Sequence, residues 1–379
     1  MKQRDILITN GYVIDPKNGV KQIRDIYIKD GRIVGDKELL ETPLEINATG
    51  LIVTPGLIDF HAHVFPKVTE IGLEPDLYFI PQGVTTVVDP GSSGVSNVQS
   101  FIENVVIKSK IRVFALLNVC STGLGTMQFH ENVDPKYWDL NQIKKVFEMW
   151  PNIIKGLKIR FSKNLVGDLE ERPLVEAEKL ARTIGTHLAV HTTDAPLSQG
   201  SVASILKTND IFVHCFQGTG NTILDDNQQV LEEVKVAQEK GVIMDASNGG
   251  NHWSFDVASK AIKDGFMPDI ISTDLTIKTI FKDPVFSLPY IMSKYLALGC
   301  SLESIIERCT LRPAQWLNLA DEIGHLGVGA IADIAVFSLE KRKITFSDTR
   351  GVKKEGQEIL TPQLTIVGGD IVYRGLSSV

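Results

Sequence analysis

The sequence predicts an α/β chain: a (β/α)8 barrel of the TIM type carrying a small composite β-sandwich domain formed by both termini. Three observations lead there. Eight short apolar segments lie between Leu57 and Asp274, with helix-period stretches between them. Both ends of the chain read instead as hairpins, and the residue types richest in chemistry recur where the apolar segments end.

At the start, Asp5–Thr9 runs into the turn pair Asn10-Gly11, and Asp25–Ile28 leads through Asp30-Gly31 to Arg32–Val34. Asn-Gly and Asp-Gly between alternating apolar runs are hairpin signals, because both tolerate positive φ. The far end repeats the pattern with Ala332–Phe337, Gln363–Val367 and Ile371–Tyr373. Neither end has enough strand to bury a core alone. Residues 1–54 with 322–379 are therefore expected to share one composite domain, and 55–321 to form the barrel. The eight strands are expected at Leu57–His61, Val84–Asp89, Val113–Val119, Ile154–Arg160, His187–His191, Ile211–His214, Val242–Ala246 and Ile270–Asp274. Helices are expected over Val98–Ser109, Leu174–Ile184, Val230–Lys240 and Phe255–Lys263. A doubly wound open sheet would show a glycine-rich phosphate turn after its first strand, and this chain has none.

With 43% apolar and 22% charged residues the composition is globular, and a net charge of −7 argues against nucleic-acid or anionic-membrane surfaces. No window approaches the roughly 20 apolar residues of a bilayer span, and Met1-Lys2-Gln3-Arg4-Asp5 opens no signal-like stretch. Cys120, Cys215, Cys300 and Cys309 lack metal-type or disulfide-type spacing. The expectation is a cytoplasmic protein acting on a small molecule, with no nucleic-acid or membrane partner.

The first segment ends in His61-Ala62-His63, the fourth carries Lys158 and Arg160, the fifth and sixth end at His191 and His214, and the eighth at Asp274. Residues i and i+2 of a strand share a face, so His61 and His63 can grip one ion together. Imidazoles and a carboxylate are ordinary ligands of a catalytic zinc. A lone His-x-His is weak evidence; with single histidines and an aspartate at three further strand ends it becomes strong. Arg160, on the same face as Lys158, is the candidate to stabilise an oxyanion, the alternative being a salt bridge closing the mouth. Lys155 falls on the opposite face, near the base. His187 starts its strand and reads as structural, as do His130 and His325 outside the strand ends. Asp89, Asn118 and Ser121 read as loop caps, and Gly91–Gly94 as a turn able to offer backbone donors to a carboxylate.

Pro55-Gly56-Leu57-Ile58-Asp59-Phe60-His61-Ala62-His63 resembles the segment that opens the barrel in the amidohydrolase superfamily. Val190-His191, Val213-His214, Ser272-Thr273-Asp274, Arg312-Pro313-Ala314 and Gly329-Ala330-Ile331-Ala332-Asp333 follow in that superfamily's order. The resemblance implies two divalent metal ions, with zinc the default. Gly156–Arg160 is similar to the strand whose lysine is carbamylated by carbon dioxide in the binuclear members, which makes Lys158 an anionic bridge. One ion is then held by His61, His63, Lys158 and Asp274, the other by Lys158, His191 and His214. A hydroxide bridging the ions attacks, while Asp274 takes its proton and passes it to the leaving group. A homo-oligomer is also a habit of this superfamily.

Within the superfamily, Gly83–Asp89, Gly91–Gly94, Gly156–Arg160 and His214–Gly218 look most like bacterial deacetylase-like amidohydrolases. This implies a metal-dependent hydrolase that cleaves an amide or ester, as a deacetylase of a small N- or O-acylated carboxylate. One departure is the Ser247–His252 loop, where that group carries a histidine-glycine pair facing the substrate. Asn248 or Asn251 is left to donate a hydrogen bond there, or His252 to fold back. The alternatives are a cyclic amide hydrolase of the dihydroorotase or hydantoinase type, which lacks its arginine–asparagine pair after His63, and a purine deaminase, which does not need Lys158. A non-catalytic scaffold would show broken metal positions, and all six are present.

Overall fold

Strands rich in apolar residues on both sides must be covered on both faces, and this requirement shapes the centre of the computed structural model, which describes residues 5–36, 38, 42–129 and 131–375. Five strands come first: β1 (Ile6–Asp15), β2 (Val20–Lys29), β3 (Arg32–Val34), β4 (Leu44–Asn47) and β5 (Ile52–Pro55). Seven follow at intervals: β6 (Leu57–Asp59), β7 (Val84–Asp89), β8 (Arg112–Asn118), β9 (Ile154–Arg160), β10 (His187–His191), β11 (Ile211–Val213) and β12 (Ile243–Asp245). They form one parallel sheet in sequence order, β6 to β12. All six residues of β7 are buried, as a doubly covered strand requires.

The covering helices follow the expected periods. Phe255–Lys263 is a helix with those bounds. Arg172–Ile184 starts two residues before the expected Leu174, with Pro173 in its first turn, and buries Leu174, Ala177, Leu180 and Ala181 along one side before Gly185 ends it at φ 79°. Glu232–Glu239 lies inside the expected 230–240. The Val98 segment passes from α geometry to a wider π turn at Ile102–Val106.

The eighth expected strand, Ile270–Asp274, is a correction. It meets its neighbours through single bridges, Ile270 with Asp245 and Leu275 with Ala62, so the parallel sheet has seven strands and is not closed by a full ladder. The cause is local. Asp59 Oδ1 and Oδ2 accept from Thr273 N and Oγ1 at 3.1 and 2.6 Å, so a side chain replaces a strand carbonyl as partner. Asp274 then turns into the left-handed region at φ 53°. The segment still touches both sheet edges, donating from Asp274 N to His61 O at 2.6 Å and accepting at Ile270 O from Ala246 N at 3.0 Å.

The chain ends with β13 (Ile334–Ser347), β14 (Lys353–Val367) and β15 (Asp370–Arg374). Both ends do share a sheet: β5 lies parallel to β1 and antiparallel to β13, with Val53 opposite Val336. The strands form one mixed eight-stranded sheet, however, not the two facing sheets of a sandwich. Ile8, Val13, Val53, Ile334 and Ile366 pack a core of their own against it.

Asp333 ties the two sheets together. Buried ahead of β13, it pairs with Arg112 at the start of β8 and accepts from Gly368 N at 2.8 Å, while its carbonyl accepts from Gly56 N at 2.8 Å. Its burial raises the carboxyl pKa, against the pull of Arg112. Removing one partner of a buried pair strands the other, so Asp333→Ala is expected to cost about 3 kcal/mol, read as a lowered urea midpoint.

Candidate metal centre

The strand ends that carry imidazole, amine and carboxylate groups converge on one cavity of about 220 Å³. His61, His63, Lys158, Arg160, His191, His214 and Asp274 all line it. Two three-residue groups stand out among the described residues: His61, His63 and Asp274, and His191, His214 and His252. Within each group the potential ligand atoms lie within 4.8 Å of one another. His63 Nε2 is 3.2 Å from Asp274 Oδ1, and His61 Nε2 is 3.7 Å from the same oxygen.

The rings of three of these histidines are held from behind at Nδ1. His61 Nδ1 faces Asp245 Oδ2 at 3.3 Å and Ser247 Oγ at 3.2 Å. Asp245 is itself fixed by the hydroxyls of Ser247 and Ser272, the latter at 2.6 Å. His63 Nδ1 meets Ser92 Oγ at 2.8 Å, and His214 Nδ1 donates to Ser247 O at 2.7 Å. Such outer contacts set tautomer and ring plane, leaving Nε2 for an ion. The backbone is strained where it delivers ligands: His214 sits at φ 67° and Asp274 at φ 53°, conformations that cost residues with a Cβ about 1–3 kcal/mol each.

Burial and neighbouring cationic groups push the pKa values of His61, His191 and His214 well below the ordinary range, so each ring keeps a lone pair. Burial also lowers Lys158 to about 8, against the attraction of Asp274 and Asp245. Lys158 Nζ is buried and meets no hydrogen-bond acceptor among the described residues. Gly91, at φ 92°, lets the β7 loop approach this lysine: a Cβ there would stand 2.7 Å from Lys158 Cβ. A set of imidazoles, one carboxylate and an unpartnered amine suits divalent cations.

Residues 52–372 match the amidohydrolase family. The chain belongs to the amidohydrolase family. This amidohydrolase is 31% identical over 376 residues to a deacetylase from Agrobacterium fabrum, covering 98% of this chain and 92% of the relative. It superposes with a TM-score of 0.90 on a crystal structure of an adenine deaminase, at 30% identity over 98% of this chain and all of that one. A dihydroorotase structure matches equally, with a TM-score of 0.90 and 31% identity over 98% of both chains. Similarity to deacetylases and dihydroorotases makes the amidohydrolase an enzyme, while these names disagree on the bond it cleaves.

At Arg160 the structure shows the salt bridge that the sequence left as the alternative. Its guanidinium lines the cavity but is paired with Glu131, a buried carboxylate on the loop after β8 that also accepts from Asn118 Nδ2 at 3.1 Å. Nothing in the aperiodic stretch around Glu131 signals this role. The Gly91–Gly94 turn does not supply the expected donor pocket either. Gly91 N and Ser92 N bond to Asp89 Oδ1 at 3.1 and 2.6 Å, and Gly94 N to Asn97. Asp89 and Asn118 cap loops as expected. His187 packs on Trp316 far from the cavity, Lys155 lies over Phe114, and His325 is buried beside Gly327. His130 lies outside the described residues. No described helix is long and apolar enough to cross a membrane.

The Asp245 brace yields a direct test. Asp245→Asn keeps the shape but removes the charge behind His61, and should lower zinc affinity about 10–100-fold, measured by chelator competition.

Proposed function

We propose that this amidohydrolase hydrolyses an amide or ester as a deacetylase of small N- or O-acylated carboxylates, using two zinc ions and a carbamate on Lys158. The observation that carries the reading is Lys158 Nζ, buried without an acceptor in the cavity that both histidine groups line. An ammonium there would repel cations, whereas a carbamate supplies the missing negative charge and oxygen donors. His61, His63, Lys158 and Asp274 would hold one ion, and Lys158, His191 and His214 the other. When bound, such ions acidify water and polarise the acyl carbonyl.

The chain's own groups do the rest. Asp274 accepts the proton of the attacking water and delivers it to the leaving oxygen or nitrogen. Arg160, its plane set by Glu131, turns its remaining N–H groups to the developing oxyanion. The 220 Å³ cavity suits a small substrate. Full-length likeness to a named deacetylase supports the bond type. We further propose that residues 55–321 form a (β/α)8 barrel, with Ile270–Asp274 as its irregular eighth position, and that 1–54 with 322–379 form the companion domain.

The likeness to a dihydroorotase structure favours a second reading, cleavage of a cyclic amide. Against it, Val64-Phe65-Pro66-Lys67 follows His63 without an arginine or asparagine for a substrate carboxylate, and Phe65 is buried.

Metal analysis of protein made with zinc and bicarbonate should find two ions per chain. Lys158→Ala should weaken both by at least the roughly 10-fold that even outer partners are worth. One ion, held equally by the variant, would sink the carbamate bridge. In assays on acetylated hydroxy and amino acids, Asp274→Asn should lower kcat by about 10²–10⁴-fold. Turnover of dihydroorotate with none of acetylated acids would transfer the assignment to the cyclic-amide reading.

A further inference from the structure

The loop after β12 takes a path that the ligand set above does not explain. Its first half is stitched to the Ile270–Asp274 segment, with Asn248 N donating to Ser272 O at 3.1 Å and Gly249 N to Thr273 O at 2.9 Å. At Gly249, φ 60°, the chain doubles back. A Cβ at that position would lie 2.5 Å from Asp274 Oδ2 and 2.8 Å from His252 Cδ2, so only glycine lets the loop pass between them. The return delivers His252 onto His214, the rings stacked at 4.2 Å, and within 4.9 Å of the His191 ring.

Behind His252 the loop is firmly anchored. Trp253 is fully buried, its carbonyl accepts from Thr349 Oγ1 at 2.7 Å, and the Lys294 ammonium lies 4.1 Å from its ring centroid. Ser254 N donates to Phe216 O at 2.9 Å. A histidine held this way is not a loosely placed surface ring. Its Nδ1 meets Thr193 Oγ1 at 3.0 Å, and with Nδ1 donating there, Nε2 keeps its lone pair. The carboxylate facing that nitrogen, Asp274 Oδ2, stands 3.8 Å away, beyond hydrogen-bond reach.

We infer that His252 is a third imidazole ligand, joining His191 and His214 around the second divalent ion. The inference rests on the two-metal reading and adds to it. Three neutral histidines are a sufficient protein ligand set for zinc, so this ion has a hold independent of the Lys158 carbamate. Thr193 acts as a positioning residue, fixing the tautomer from behind as Ser92 and Ser247 do for His63 and His61.

The test is zinc affinity, read by chelator competition on wild type, His252→Ala and Thr193→Val, each first checked for native circular dichroism in the metal-free state. His252→Ala should weaken one ion by about 100-fold or more and leave the other unchanged, and Thr193→Val should weaken that same ion by about 10-fold. Unchanged affinity for both ions in His252→Ala would overturn the inference, even if activity were lost. Equal weakening of both would also overturn it, because that is the signature of a collapsed loop. A wild type holding a single ion would refute the two-metal reading by itself. His252 would then stand or fall on whether His252→Ala weakens that one ion.

Discussion

Desolvation of a crowded set of nitrogen bases is the constraint on which this structure turns. Water would otherwise solvate the amine of Lys158 and the rings of His61, His191 and His214. In the cavity, each must be neutral or matched by charge. Burial keeps the rings unprotonated, and Asp274 and Asp245 stand closest to the first histidine group, with Asp274 no nearer than 3.8 Å to His252 of the second. The site is thus electron-pair rich and charge poor, the condition under which a divalent cation binds strongly.

Holding such a set in place demands a rigid frame, and short polar side chains supply part of it within the apolar core. Ser92, Ser247, Ser272, Thr273 and Asp59 each sit one contact behind a ligand or a ligand-bearing strand. Two ligands occupy left-handed backbone positions that unsupported residues avoid. Hydrogen bonds such as those from Asp274 N to His61 O and from Thr273 N to Asp59 offset that strain, and they are the same bonds that keep Ile270–Asp274 from pairing as an ordinary strand. Irregularity there and geometry at the ligands are one arrangement.

Much of this was legible in the residues. Alternating short apolar runs and amphipathic helices located all seven parallel strands, because burial on both faces favours apolar runs, as in Ile211–Val213. The two-residue spacing of His61 and His63 pointed to a shared ion, and although both lie past the end of β6 they face the same oxygen of Asp274. What escaped depends on contacts between residues distant in sequence. Glu131 neutralises Arg160 across 29 positions with no local pattern to announce it, and the Asp59–Thr273 bonds that distort the eighth segment span 214. The Gly91 turn carries its glycine for approach to Lys158, a reason that turn statistics cannot distinguish from donor presentation. His252, one of three residues the sequence offered from its loop, lies seven residues past the end of β12, so no strand periodicity could choose it over Asn248 or Asn251.

The long β13–β14 hairpin has a further meaning. Its tip, Asp348–Arg350, reaches back to the β12 loop: Asp348 Oδ2 accepts from Phe255 N at 2.9 Å and Thr349 bonds Trp253 O. Its base completes the sheet begun by β1 and β5. The histidine-bearing loop thus precedes its clamp in the chain, and β5 finds its outer partner, β13, roughly 280 residues later, whereas β1 pairs with strands near it in sequence. The cavity therefore depends on long-range pairing: the parallel strands can form from neighbours in the chain, but the loop that carries His252 is clamped only by a segment about a hundred residues further on.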